Sequence, residues 1–241
     1  MTGSHLDEEA VDRLLAATSV AELLEIMHEA SIAIGGDKFS YHTEVMFEGI
    51  ASVLSEVYSV GFSDEWRTYY IDQGARLIDP GPDITMRRGK PTTWHDALSS
   101  RRLTRAELDY VAETVRMGIT SGYGFPLWGP NGHNAYVAVG FPPGEPLPDL
   151  PTINTHHMLL TNGHQKICEL TAANADPSLS LREREVLTWA GRGKSNTDIA
   201  TILAISGDTV ATYMRRIFAK LDCHDRIGAV IKALRLGQIH I

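Results

Sequence analysis

Cysteine is scarce in this 241-residue chain: only Cys168 and Cys223 are present, and no Cys-x-x-Cys pair occurs. That excludes a disulfide framework and leaves a cysteine-based zinc site without ligands. Both thiols read as small buried apolar groups. Long hydrophobic runs are missing too. None approaches the roughly 18–20 residues that a membrane-spanning helix needs. The first nine residues are polar and acidic, which does not suit a secretory leader. Enzyme signatures are absent as well: there is no Gly-x-Ser-x-Gly elbow and no His-x-x-x-His pair, and His156-His157 are adjacent, so they point to different helix faces. The chain therefore does not read as an enzyme. No catalytic residue, metal or cofactor is expected, and no membrane partner.

Positive charge is also in deficit, with 22 Lys/Arg against 30 Asp/Glu and a net charge of −8. The deficit is uneven. Residues 176–241 carry ten Lys/Arg against seven Asp/Glu, a net +3, which leaves twelve against 23, a net −11, in the rest. A nucleic-acid surface therefore belongs to the C-terminal quarter and not to the remainder. The length suits two compact domains.

The C-terminal quarter holds four short helix patterns. Ser180 and Glu183 form a capping box, with Leu181, Val186, Leu187 and Ala190 at helical spacing behind it. Gly191 and Gly193 end that helix. Ser195 caps a second, with Ile199, Ala200, Ile202 and Leu203. Ser206 caps a third, whose apolar stripe is Val210, Met214, Ile217, Phe218 and Leu221, and whose other face carries Thr212, Arg215, Arg216 and Lys220. Residues 226–236 make a fourth. A helix with one apolar stripe and one Arg/Thr face suits a DNA major groove, where Arg meets guanine edges or phosphates and Thr meets bases. The plain alternative is a helical bundle with solvated arginines. The order of cap, glycine stop, short helix, tight turn and basic helix resembles the DNA-binding domain of the LuxR group of transcription factors. That resemblance implies DNA contact through Lys194, Thr209, Thr212, Arg215, Arg216 and Lys220, and dimer support from the fourth helix. Two positions depart from the group: Ala211 stands where a lysine or other polar residue is common, and Tyr213 where histidine is usual.

Ahead of this, residues 20–34 read as an amphipathic helix ending at Gly35-Gly36, and 39–48 and 50–60 as strands. Ser63 opens a helix with acidic residues in its first turn. Thr104 and Glu107 form a capping box for a helix running to Gly118. Residues 119–128 and 133–141 flank Pro130-Asn131-Gly132, a hairpin signal, and 149–171 form a long last helix. The expected fold is α+β, an N-terminal α/β/α sandwich with a mostly antiparallel sheet, followed by an all-α four-helix helix-turn-helix domain. The boundaries are 1–170, a linker at 171–178, and 179–241.

A second resemblance covers nearly the whole chain. Trp66, Tyr70, Asp79-Pro80, Trp94 and Gly122, completed by Glu183, Leu187 and Gly193, match in order and spacing the positions typical of acyl-homoserine-lactone receptors. It implies a ligand site in the N-terminal domain. There the Asp79 carboxylate would accept the ligand's amide N–H, and Trp66, whose indole can only donate, would serve the ring carbonyl. Tyr70 and Trp94 would wall the site. On their own, both tryptophans also suit an ordinary core, and Asp79-Pro80 an ordinary helix start. The pocket departs from the group at Phe62, where a tyrosine is common, at Ala138, where Ser or Thr is common, and at Gly81-Pro82, where bulky aliphatics are common. Two missing hydroxyls, each worth about 0.5–1.5 kcal/mol, point to an acyl group without a 3-oxo substituent, either unsubstituted at its third carbon or long or bulky. Tyr58, Tyr69, Tyr110 or Tyr136 could restore a hydroxyl. The ligand-binding set is thus Phe62, Trp66, Tyr70, Asp79, Gly81, Trp94, Tyr110 and Ala138. The implied protein is a cytoplasmic homodimer bound to double-stranded DNA and to an acyl-homoserine lactone, with RNA polymerase as a further partner. A same-fold receptor for a non-lactone molecule is the alternative. A response regulator with this output domain fits poorly, because hairpin signals replace a receiver domain.

Overall fold

The computed structural model describes residues 3–43, 57–172 and 179–241, which fall into two compact units. Unit one comprises residues 1–129 and 133–170, and unit two 130–132 and 171–241.

The first unit opens with two helices, α1 (Gly3–Ala16) and α2 (Val20–Ala33). Ser19 caps α2 by accepting from the Glu22 N–H, and Leu23, Leu24, Ile26 and Met27 form its buried face. Two strands follow, β1 (Lys38–Thr43) and β2 (Val57–Val60). The rest of the two expected strands, residues 44–48 and 50–56, lies outside the described residues. Next come α3 (Asp64–Arg67), capped by Ser63, and a π-helical turn at Thr68–Asp72. α4 (Pro80–Arg88) begins with Asp79 as N-cap and Pro80 in its first turn. β3 (Thr92–Thr93), α5 (Trp94–Ser99) and α6 (Arg105–Arg116) lead to β4 (Gly122–Leu127) and β5 (Ala135–Gly140). The Thr104–Glu107 capping box is formed at the start of α6. The long helix α7 (Leu150–Ala172) closes the unit.

The sheet is antiparallel throughout, in the order β2-β1-β5-β4-β3. Side chains alternate across a strand, so the sheet has two unlike faces. Phe39 and Tyr41 of β1, Val137 and Val139 of β5 and Phe125 of β4 pack with Leu23 and Met27 of α2 and Ile153 and Leu160 of α7. The opposite face carries Ser40, His42, Tyr136, Ala138, Gly122 and Gly124. The result is the expected α+β arrangement of helices, sheet and helices, with the functional cavity on the second face.

Several expectations need correction. β4 and β5 pair as the hairpin implied by Pro130-Asn131-Gly132, but their connection is longer than those three residues. It spans residues 128–134, with one 3-10 turn at Pro130–Gly132 and a Gly129 N–H to Asn134 Oδ1 bond of 3.2 Å. A loop of this length needs no primed turn. α7 runs to Ala172, two residues into the expected linker, and 173–178 lie outside the described residues. α1, α5 and the π-helical turn were not anticipated.

The second unit is all helix: α8 (Leu181–Gly191), α9 (Asn196–Leu203), α10 (Gly207–Leu221) and α11 (Arg226–Arg235). Ser180, Ser195 and Ser206 cap the first three, as anticipated, and Asp225 caps the fourth. Val186, Leu187, Ile199, Val210, Ile217, Ala229 and Ala233 form the core. Two residues that share the helical spacing are exposed: Leu181 by 73% and Ile202 by 42%. Leu181 is the first residue of α8, so its side chain precedes the covered turns. Glu183 takes the inward position instead, at 3% exposure.

Candidate ligand cavity and DNA-facing helix

A cavity of about 380 Å³ lies between the second sheet face and the helices after β2. That size suits a small molecule. All eight residues named from the sequence line it: Phe62, Trp66, Tyr70, Asp79, Gly81, Trp94, Tyr110 and Ala138.

One wall is a stack of aromatic rings. Phe62, Trp66 and Tyr70 recur every four residues. Phe62 stacks on Trp66 with centroids 3.9 Å apart, and Trp66 on Tyr70 at 4.6 Å. Trp66 and Tyr70 are almost fully enclosed. The Trp66 indole N–H has no protein partner among the described residues.

Asp79 sits at the end of this stack. Its Oδ1 accepts from the Gly81 N–H at 2.9 Å, the helix-capping bond, and its Oδ2 from the Tyr70 hydroxyl at 2.8 Å. The Tyr110 hydroxyl lines the same cavity. Burial raises the Asp79 pKa above the ordinary value, against the opposing pull of Gly81, Tyr70 and Tyr110. A carboxylate has about four acceptor sites. Two are occupied by the Gly81 N–H and the Tyr70 hydroxyl, which leaves capacity for a further donor. Cap and acceptor are therefore compatible roles for this residue. Burial and the neighbouring Asp79 charge push both Tyr70 and Tyr110 well above the ordinary tyrosine range. Their protons stay in place to donate.

The sheet wall depends on two glycines of β4. A Cβ on Gly122 would come within 2.5 Å of the Trp94 ring, and one on Gly124 within 2.7 Å of Tyr136 and of Thr85 Oγ1. Their absence lets Trp94 and Tyr136 lie against the sheet. The Tyr136 hydroxyl faces the same cavity as Trp94. Tyr136 and Tyr110 thus bring hydroxyls to the cavity that Phe62 and Ala138 lack. Tyr58 packs on Phe39 and Tyr69 on Tyr110, and neither lines the cavity.

The sequence reading missed Ser40 and His42 on this wall, and named Tyr136 only as one of four tyrosines that could restore a hydroxyl. The signal was available: in Phe39-Ser-Tyr-His42 the larger apolar rings alternate with Ser and His, so a period of two sends the polar pair to the other face.

In the second unit, α9 and α10 form a helix-turn-helix in which Ala204 adopts a left-handed conformation, φ 53°. Arg215 and Arg216 are exposed on α10. Arg215 donates to Thr212 Oγ1 at 3.1 Å, and Thr212 donates back to the Asp208 carbonyl at 2.9 Å. Thr209 is held to Ser206 at 2.8 Å, and Ala211 and Tyr213 are partly covered. The Lys194 carbonyl accepts from Arg226, which also bonds Asn196 at 3.0 Å and fixes the start of α9. Lys220 is placed differently from the two arginines. Its Nζ lies 2.7 Å from Glu183 Oε2, tying α10 to the capping box of α8. Burial works against the Glu183 carboxylate, yet Lys220 and the Ser180 N–H outweigh it and lower its pKa.

Among the described residues no helix is long and apolar enough to cross a membrane, and no cluster of His, Cys, Asp and Glu could hold a metal.

Comparison with known proteins agrees with this division. Residues 19–165 match the autoinducer binding domain family, and 177–233 the family of bacterial regulatory proteins of the LuxR type. The chain is 32% identical over 185 residues to the putative HTH-type transcriptional regulator y4qH of Sinorhizobium fredii, a match covering 76% of this chain and 56% of that protein. It is 28% identical to the transcriptional activator protein LuxR of Aliivibrio fischeri, covering 74% and 73%. It is 29% identical to the quorum sensing-dependent regulator RpaR of Rhodopseudomonas palustris, covering 75% and 74%. The fold resembles that of Escherichia coli SdiA, with a TM-score of 0.76 at 18% identity over 98% of both chains. The chain belongs to the LuxR family of transcriptional regulators, with an autoinducer-binding domain followed by a LuxR-type helix-turn-helix domain.

Proposed function

We propose that this protein is a ligand-gated transcription factor. Residues 1–170 bind an acyl-homoserine lactone, and residues 179–241, joined through the linker, bind promoter DNA as half of a homodimer. The observation that carries this reading is the Asp79 carboxylate, which lines the cavity with two donors in place and acceptor capacity to spare, at the end of an aromatic stack. An amide N–H supplies a further donor. The Trp66 indole N–H then serves a carbonyl on the same molecule, and the Trp66 and Trp94 rings cover the lactone. The acyl group lacks a 3-oxo substituent, in keeping with Phe62 and Ala138.

The output follows from linkage. A ligand bound inside the folded domain stabilises it by mass action. Dimerisation places two α10 helices at half-sites about one DNA turn apart, which requires a palindromic target. Exposed Ile227 and Ile231 on one face of α11, and Met158 on α7, supply apolar surface for that contact. DNA contact rests on Arg215, Arg216, Thr212, Thr209 and Lys194. A reducing cytoplasm suits a DNA target and two cysteines that form no disulfide, and RNA polymerase is a further partner of such a regulator.

The test is direct binding. Titrating the full-length protein with acyl-homoserine lactones, and with an acylglycerol of equal chain length, is expected to raise the thermal midpoint with the lactones only. Equal stabilisation by the acylglycerol would transfer the reading to a non-lactone receptor of the same fold.

A further inference from the structure

Ser40 and His42 of β1 are the unexplained polar feature of the cavity. Both are buried, and both line it. Ser40 Oγ lies 2.9 Å from His42 Nε2. A wall that only held an aliphatic chain would be better built from aliphatic residues, since polar groups facing an apolar occupant lose hydration without replacement. The neighbouring Ser59, paired with Ser40 across β1 and β2, has an enclosed hydroxyl without a partner among the described residues. A polar strip therefore runs along this part of the sheet.

Resting on the lactone reading above, we propose that the Ser40–His42 pair recognises a hydroxyl group on the acyl part of the ligand. The chemistry of the pair selects that group. Burial holds His42 neutral, with its pKa down to about 3, so its ring has one donor and one acceptor. If Ser40 donates to Nε2, then Nδ1–H is a donor and the Ser40 oxygen keeps an acceptor site. If Nε2–H donates to Ser40, then Nδ1 accepts and the Ser40 proton is the donor. In either tautomer the pair presents one donor and one acceptor. A ligand hydroxyl uses both, a ketone only one, and a methylene neither.

Position narrows the site on the ligand. The His42 ring meets the edge of Tyr70 at 5.7 Å between centroids and of Tyr136 at 5.3 Å. Tyr70 in turn holds Asp79, which takes the amide. The pair is thus about one ring removed from the amide, opposite the first carbons of the acyl chain. Ala138, cross-strand from Ser40, leaves the space between them open.

The probes are three homoserine lactones of equal chain length that differ at the third acyl carbon: unsubstituted, 3-oxo and 3-hydroxy. Full-length wild type is expected to bind the hydroxy compound about five- to tenfold more tightly than the unsubstituted one, the effect of one to two neutral hydrogen bonds, with the 3-oxo compound between them. Ser40→Ala removes a single atom and keeps the strand, while His42→Leu removes the ring. The readout is the ratio of affinities for the hydroxy and unsubstituted compounds within each protein, and each variant is expected to lose most of the wild-type ratio whatever its affinity for the unsubstituted compound. Equal binding of the three by wild type, or a hydroxy preference that survives both substitutions, overturns the proposal while leaving the lactone reading intact. Failure of all three lactones to bind wild type overturns both.

Discussion

The two units of this chain use buried polar groups for opposite purposes. In the first, Asp79, Tyr70, Tyr110, Ser40 and His42 are enclosed and keep hydrogen-bonding capacity toward a cavity. In the second, the one enclosed charge among the described residues, Glu183, is spent within the fold on Ser180 and Lys220, and the chemistry at Arg215 and Arg216 faces outward. An inward site selects a partner by enclosure and by where a few donors and acceptors sit. An outward basic helix attracts a polyanion first and discriminates second.

The largest expected effect breaks the first unit's site and leaves the second alone. Asp79→Asn keeps a cap oxygen for α4 but removes the charge that receives the amide. A hydrogen bond to a charged group is worth about 1.5–3 kcal/mol, so the dissociation constant for an acyl lactone is expected to rise at least tenfold. Calorimetric titration measures it, and an unchanged constant would remove Asp79 from the site.

The next effects belong to α10. Arg215→Ala and Arg216→Ala are each expected to weaken DNA binding by up to about tenfold. Where the lost contact is to a phosphate, each makes the slope of log affinity against log salt shallower by about one. Lactone affinity stays as in wild type. Lys220→Met sharpens the comparison, because Lys220 sits on the same helix but holds Glu183. It is expected to lower the stability of the unit by about 1–3 kcal/mol and to leave the salt slope nearly unchanged. A shallower slope without a lower melting temperature would return Lys220 to the DNA surface.

The same contrast explains what could be read in advance. Caps are local: Ser180 and Glu183, Ser195, Ser206, and Thr104 with Glu107 declare themselves by a spacing of three, and the helices begin where those residues say. The cavity is not local. Trp66, Tyr70, Asp79 and Trp94 were legible through a family resemblance in their spacing. Ser40, His42 and Tyr136 come to the cavity only through the register that sets His42 beside Tyr136 and Ser40 beside Ala138. Tyr70 illustrates the limit within one residue: its ring was expected as a wall, whereas its bond to Asp79 depends on the π-helical turn and the start of α4 meeting in space. Leu181 and Ile202 show a second limit: helical spacing groups residues at a helix end and on an outer face with those that the core covers.

Acidification separates the two units by the smallest effect. Burial raises the Asp79 pKa, so its protonation begins above the pH at which a free aspartate titrates. The protonated form cannot accept the amide N–H at full strength, and lactone affinity is expected to fall as pH drops through that raised value. Glu183 is shifted the other way. Its carboxylate is favoured in the folded state, so its contribution to stability is fully present above the ordinary glutamate value and is lost as pH falls through the lowered one. His42, neutral down to about pH 3, takes no part across this range. Lactone titrations and thermal melts from pH 7 to 4 are therefore expected to show ligand affinity declining first and the stability of the C-terminal unit second. The opposite order would mean that Asp79 carries its charge as easily as a solvated aspartate, and its remaining acceptor capacity would then belong to water rather than to a ligand.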